Sequence, residues 1–154
     1  MLVVIGEVAV KHVHLDHMLK MTIKSLTGVT VDEALAELSR KGSLVLRKKI
    51  EKKAKQRLGD CPDLTRLQEL LDRCRNASEQ RNFYVKSVYA IHLSEPNVGS
   101  RAILGADQIW CPIPSLEEMR KLSVSIESLI SEINEACLHG WLRDAIDATR
   151  SPAD

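Results

Sequence analysis

Three stretches of this sequence hold side chains of types and spacings that chemistry can use. His12-Val13-His14-Leu15-Asp16-His17 sets three imidazoles and a carboxylate close together, a donor set that suits zinc. Arg75-Asn76-Ala77-Ser78-Glu79-Gln80-Arg81-Asn82-Phe83-Tyr84-Val85-Lys86-Ser87 places Arg81 beside Asn82, with Lys86 further along. A guanidinium takes a carboxylate or a phosphate by a two-pronged hydrogen bond, and a core-facing amide must find partners of its own. Between Arg40 and Arg57 lie Arg40, Lys41, Arg47, Lys48, Lys49, Lys52, Lys53, Lys55 and Arg57, opposed within that span by Glu51 alone. Lys48, Lys49, Lys52 and Lys53 are its candidate phosphate- or RNA-binding side chains. No aromatic residue interleaves with them, which argues against a base-stacking platform.

The first string resembles the metal-binding signature of metallo-β-lactamase-like hydrolases, and His92, Asp107 and His139 are further potential ligands. That signature works in a loop after a strand, where neighbouring side chains converge. Here Leu15, Leu19, Ile23 and Leu26 continue a helical face through the string. On a helix, residues two apart point about 160–200° from one another, so His12 and His14 cannot share an ion. The expectation is a core-edge His12, with His14 and His17 on the helix surface, and no metal or other cofactor. A metal-dependent hydrolase using His12, His14, Asp16 and His17 ranks third among the functional readings.

The elements that must position these residues are helices. Ile5, Val8, His12, Leu15, Leu19, Ile23 and Leu26 step by three and four, predicting a helix over Met1–Leu26 that ends at Gly28. Thr30 and Glu33 form a capping box for a short helix through Leu38. Leu46, Ile50, Ala54 and Leu58 mark a basic helix over Leu44–Leu58, stopped by Gly59-Asp60-Cys61-Pro62. With Asp63 as N-cap, Leu64, Leu67, Leu71, Cys74, Ser78, Asn82, Val85 and Tyr89 predict a long helix over Leu64–Ile91. Asn82 falls on the apolar stripe of that helix and Arg81 flanks it. Ser94 to Pro114, rich in Pro and Gly, reads as an ordered loop. Ser115 and Glu118 then cap a helix over Leu116–Cys137, and Trp141 to Ala148 forms a last short one. The fold class is therefore all-α: four main helices, additional short helices and one long Pro-containing loop. One domain spans 1–150, and 151–154 is a frayed tail.

The Arg81-Asn82 segment resembles the Arg-Asn-x-x-x-His-Ser pattern of the HEPN superfamily, helical nucleotide-binding and ribonuclease domains, and the order of helices is similar over most of the chain. In active members, resemblance implies metal-independent RNA cleavage, with Arg and His from paired subunits acting on the scissile phosphate. Arg81 and Asn82 match that pattern, while Lys86 stands where the histidine belongs. A lysine in water is protonated at neutral pH, so it is a poor general base, though it can bind a phosphate or stabilise developing negative charge. The expected function is an RNA- or nucleotide-associated domain, a weak or inactive ribonuclease with Arg81, Asn82 and Lys86 at its site. Resemblance also implies a homodimer. The alternative is a non-catalytic helical dimerisation or protein-interaction module.

Composition agrees with a helical bundle and excludes other classes. The chain has 154 residues, 44% hydrophobic, 28% charged and only 3% aromatic, so Leu, Ile, Val and Ala must fill its core. A net charge of +1 gives no global attraction to nucleic acid or membrane; any attraction must be local. Cys61, Cys74, Cys111 and Cys137 make no CxxC pair and read as reduced thiols of a cytoplasmic protein. No apolar run approaches the ~20 residues of a membrane span, and Met1–Ile5 lacks the basic flank and cleavage site of a signal peptide.

Overall fold

A computed structural model describes residues 1–91, 99–103 and 110–150, with the backbone alone described between 87 and 111. The elements are α1 (Leu2–Thr27), α2 (Val31–Leu38), α3 (Ser43–Leu58), α4 (Pro62–Val85), β1 (Ser87–Ile91), β2 (Gly99–Ile103), β3 (Trp110–Pro112), α5 (Leu116–Leu138) and α6 (Trp141–Ala148). The body is an all-α bundle in which α1, α3, α4 and α5 are the main helices. Among the described residues no helix is long and apolar enough to cross a membrane.

Helix α1 is the central element, packing most extensively against α5 and then against α3. Its buried face is Val4, Val8, His12, Leu15, Leu19, Thr22, Ile23 and Leu26, a row in which two polar residues sit among the apolar ones. The α1 row meets Leu46 and Ile50 of α3, Leu67 and Leu71 of α4, and Leu122, Ile126 and Leu129 of α5 in one continuous core. Gly28 ends α1 at φ 76°, in the left-handed conformation that a side chain disfavours. Capping boxes close the N-termini of α2 and α5: Thr30 with Glu33, and Ser115 with Glu118, each bonded in both directions. Arg66 lies over the Trp141 ring, 4.6 Å from its centroid, fastening α6 to α4.

Helix α4 differs from expectation at both ends. Its N-cap is Cys61, with Pro62 in the first helical position and Asp63 inside the first turn. Proline suits that place because its missing N–H has no intrahelical acceptor to lose. At the other end the helix stops at Val85, and Ser87–Ile91 runs on as a strand. Val88, Tyr89 and Ile91 are residue types that favour a strand, and pairing across the sheet overrides the helical spacing of Val85 and Tyr89. Strands β1, β2 and β3 form an antiparallel sheet in that order, with Ser87 opposite Ile103 and Arg101 opposite Cys111. The segment expected as a loop thus carries paired strands in its described parts. His92, Asp107, the rest of that segment, and the tail 151–154 lie outside the described residues.

Candidate functional site

Three helices bring their polar residues to one cavity of about 450 Å³. Helix α1 supplies His12 and Asp16, α3 supplies Ser43 and Arg47, and α4 supplies Ser78, Arg81 and Asn82, with Lys86 just beyond its end. All three positions expected to carry the chemistry, Arg81, Asn82 and Lys86, line this space. Helical spacing explains the rest: His12 and Asp16 are i and i+4 on α1, and Ser78, Asn82 and Lys86 follow one another by four.

The hydrogen bonds define proton positions. Ser78 Oγ donates to the Cys74 carbonyl at 2.8 Å, and Ser43 Oγ donates to Asp16 Oδ1. Each hydroxyl has one proton, so neither can also donate to His12. His12 Nε2 is therefore the donor to Ser78 Oγ at 3.0 Å, with Ser43 Oγ 3.5 Å away. Its Nδ1 is left as a lone pair, 3.7 Å from Asp16 Oδ2. His12 is 4% exposed. Burial pushes its pKa down, Asp16 pushes it up, and the guanidinium charges of Arg81 and Arg47 add to the lowering. The balance is a neutral imidazole at physiological pH.

Arg81 Nη1 donates to Asn82 Oδ1 at 2.8 Å, while Arg81 Nε is buried with no partner. Arg47, 7% exposed, donates from Nη1 to Ser78 Oγ at 3.3 Å. Among the described residues, arginine ion pairs form at Arg73, Arg75, Arg143 and Arg150, and neither Arg47 nor Arg81 has a carboxylate within 4.0 Å. Asn82 is half-buried, so the amide on the apolar stripe of α4 finds its partner in the neighbouring guanidinium.

The lysines of the basic helix are placed elsewhere. Lys48 and Lys52 are exposed, and Lys49 pairs with Glu37 of α2. Lys53 lines a separate cleft with Arg57 and Thr149. None of the four lines the cavity of Arg81. The His-rich string also divides. His12 and Asp16 turn inward, whereas His14 and His17 are exposed on other faces of α1. His139 is exposed after α5. These side chains do not converge on one ion.

Spacing alone did not single out Arg47, Ser43 or Ser78 as site residues. Arg47 had a signal, since it precedes Ile50 by three and Ala54 by seven and so falls on the buried stripe of α3. No known protein-family model matches the chain, and no curated protein sequence or solved structure matches it.

Proposed function

We propose that the chain is a HEPN-like, RNA- or nucleotide-associated domain that takes a phosphate group in the cavity between α1, α3 and α4. The observation that carries this reading is the state of Arg81. Its guanidinium is oriented by Asn82, is unsatisfied at Nε, and has no carboxylate within 4.0 Å among the described residues. A phosphate oxygen would supply both the missing acceptor and the counter-charge. Lys86, exposed at the same cavity, adds a cation. It stands at the position of the family's histidine, so the domain is a weak or inactive ribonuclease. The site works without a metal, in a cytoplasmic homodimer whose two-fold axis brings the Arg-Asn helices together.

Cleavage of a mixed RNA pool by the native protein, Lys86→His and Arg81→Ala tests the reading. Native protein is expected to cleave slowly or not at all, Lys86→His to cleave faster, and Arg81→Ala to be silent. Brisk cleavage by native protein would show that the lysine is no handicap. Light scattering at high micromolar concentration should report a dimer.

One observation favours a second reading, a non-catalytic helical interaction module. Leu2, Val3, Val10 and Val13 of α1 are 82%, 82%, 59% and 61% exposed, an apolar row facing away from the core. Under that reading all three proteins are silent and none binds RNA.

A further inference from the structure

We infer that Arg47 and the N-terminus of α3 form a seat for a dianionic phosphate, the terminal phosphomonoester of a nucleotide or RNA end, or inorganic phosphate. The inference rests on the reading of this cavity as phosphate-binding and names the form of phosphate it takes and the residues outside the Arg-Asn motif that hold it.

A buried arginine is costly unless a counter-charge and hydrogen bonds accompany its guanidinium. Arg47 is 7% exposed and has, among the described residues, one hydrogen bond, to a neutral serine. The carboxylates lining the cavity do not relieve it. Asp16 is engaged by Ser43 and faces His12, and Glu79 is exposed at the rim. Since a neutral His12 adds no charge, Arg47, Arg81 and Lys86 outnumber Asp16 and Glu79 among the described lining residues, a net positive charge.

The start of α3 faces the same space, with Gly42, Ser43, Leu44 and Val45 lining it. Gly42 is the N-cap and makes no side-chain cap bond, and the first turn has no acidic residue. Val45 and Leu46 donate to the Gly42 carbonyl, so the Ser43 and Leu44 N–H groups keep their donors for another acceptor. The Ser43 hydroxyl does not cap them, being turned to Asp16. Nothing lies within 4 Å of where a Gly42 Cβ would be, so an oxygen can approach this backbone closely. Paired backbone donors, the positive end of a sixteen-residue helix and two guanidiniums with no carboxylate partner among the described residues together match a doubly charged phosphate. An end group, doubly charged near neutral pH, matches these donors better than an internal phosphodiester, which carries one charge.

Thermal unfolding in inorganic phosphate, against chloride of equal ionic strength, is the first test. Native protein is expected to gain roughly 3–6 °C in Tm at a phosphate concentration well above Kd. Arg47→Met should lose that gain. If Arg47→Met does not fold, amide NMR of native protein decides, with the Ser43 and Leu44 N–H signals expected to move on phosphate titration. Absence of both responses in native protein, or a full response in Arg47→Met, overturns the seat. AMP and a single-stranded RNA with and without a 5′-phosphate separate the sources: tighter binding of the phosphorylated ends assigns a nucleotide or RNA terminus, and equal response to inorganic phosphate assigns the free ion. Phosphate binding with no RNA binding would leave the seat standing and remove the RNA reading. RNA binding indifferent to phosphate and to Arg47→Met would do the reverse.

Discussion

His12 Nε2 on α1 stands 3.0 Å from Ser78 Oγ on α4, joining two helices through a buried polar contact. Around that contact the charged groups of three helices are arranged: Asp16 beside the other imidazole nitrogen, Arg47 on the serine, Arg81 one turn of α4 away. The imidazole is both structural tie and electrostatic neighbour of the cavity, so its protonation state bears on stability and on the charge of the cavity together.

Stability should therefore depend on pH through His12. Its folded pKa lies below the unfolded value of about 6.5, so between the two the unfolded state binds more protons. That makes stability rise with pH in this window. The contribution is complete above the unfolded pKa and is lost as pH falls from about 6.5 toward the depressed folded value. Tm measured from pH 7.5 to 5.5 should fall more steeply for native protein than for His12→Gln. Parallel curves would show that His12 is not buried neutral.

The cysteines should differ in reactivity. Burial pushes the Cys74 thiol up to about 12, and burial also raises Cys137. Cys61 is half-exposed beside the start of α4. Brief alkylation at pH 8, read by peptide mass mapping, should modify Cys61 ahead of Cys137 and leave Cys74 untouched until the protein is unfolded.

The two faces of α1 should respond differently to truncation. Leu15 is fully buried at the centre of the core, whereas Val13 is 61% exposed. Leu15→Ala should cost about 2–5 kcal/mol in chemical denaturation, the usual range for a buried leucine. Val13→Ala should change stability by about 0.5 kcal/mol or less. A larger loss at Val13, growing with protein concentration, would instead mark the exposed row of α1 as the subunit contact.

Much of the bundle was legible because its signals are local. Thr30 with Glu33 and Ser115 with Glu118 each announce a helix within four residues, and both form the expected boxes. Gly28 is a stop of the same local kind. The end of α4 was not legible, since Val85 and Tyr89 keep helical spacing while the chain from Ser87 is claimed by pairing with Gly99–Ile103. For the cavity, Arg81, Asn82 and Lys86 could be found as neighbours on one helix. The contribution of α1 and α3 could not, because it depends on how three helices cross. Arg47 was hidden by its company: within a run of basic residues it reads as one more solvated charge, although its register with Ile50 places it inward.

Anisotropy of a labelled single-stranded RNA over a series of salt concentrations, comparing native protein with Arg81→Ala, tests the proposed phosphate site most directly. Loss of one two-pronged phosphate contact should weaken binding about tenfold, and the slope of log affinity against log salt should become shallower by about 0.7. Native protein that fails to bind, or an Arg81→Ala variant with unchanged affinity and slope, would contradict the account.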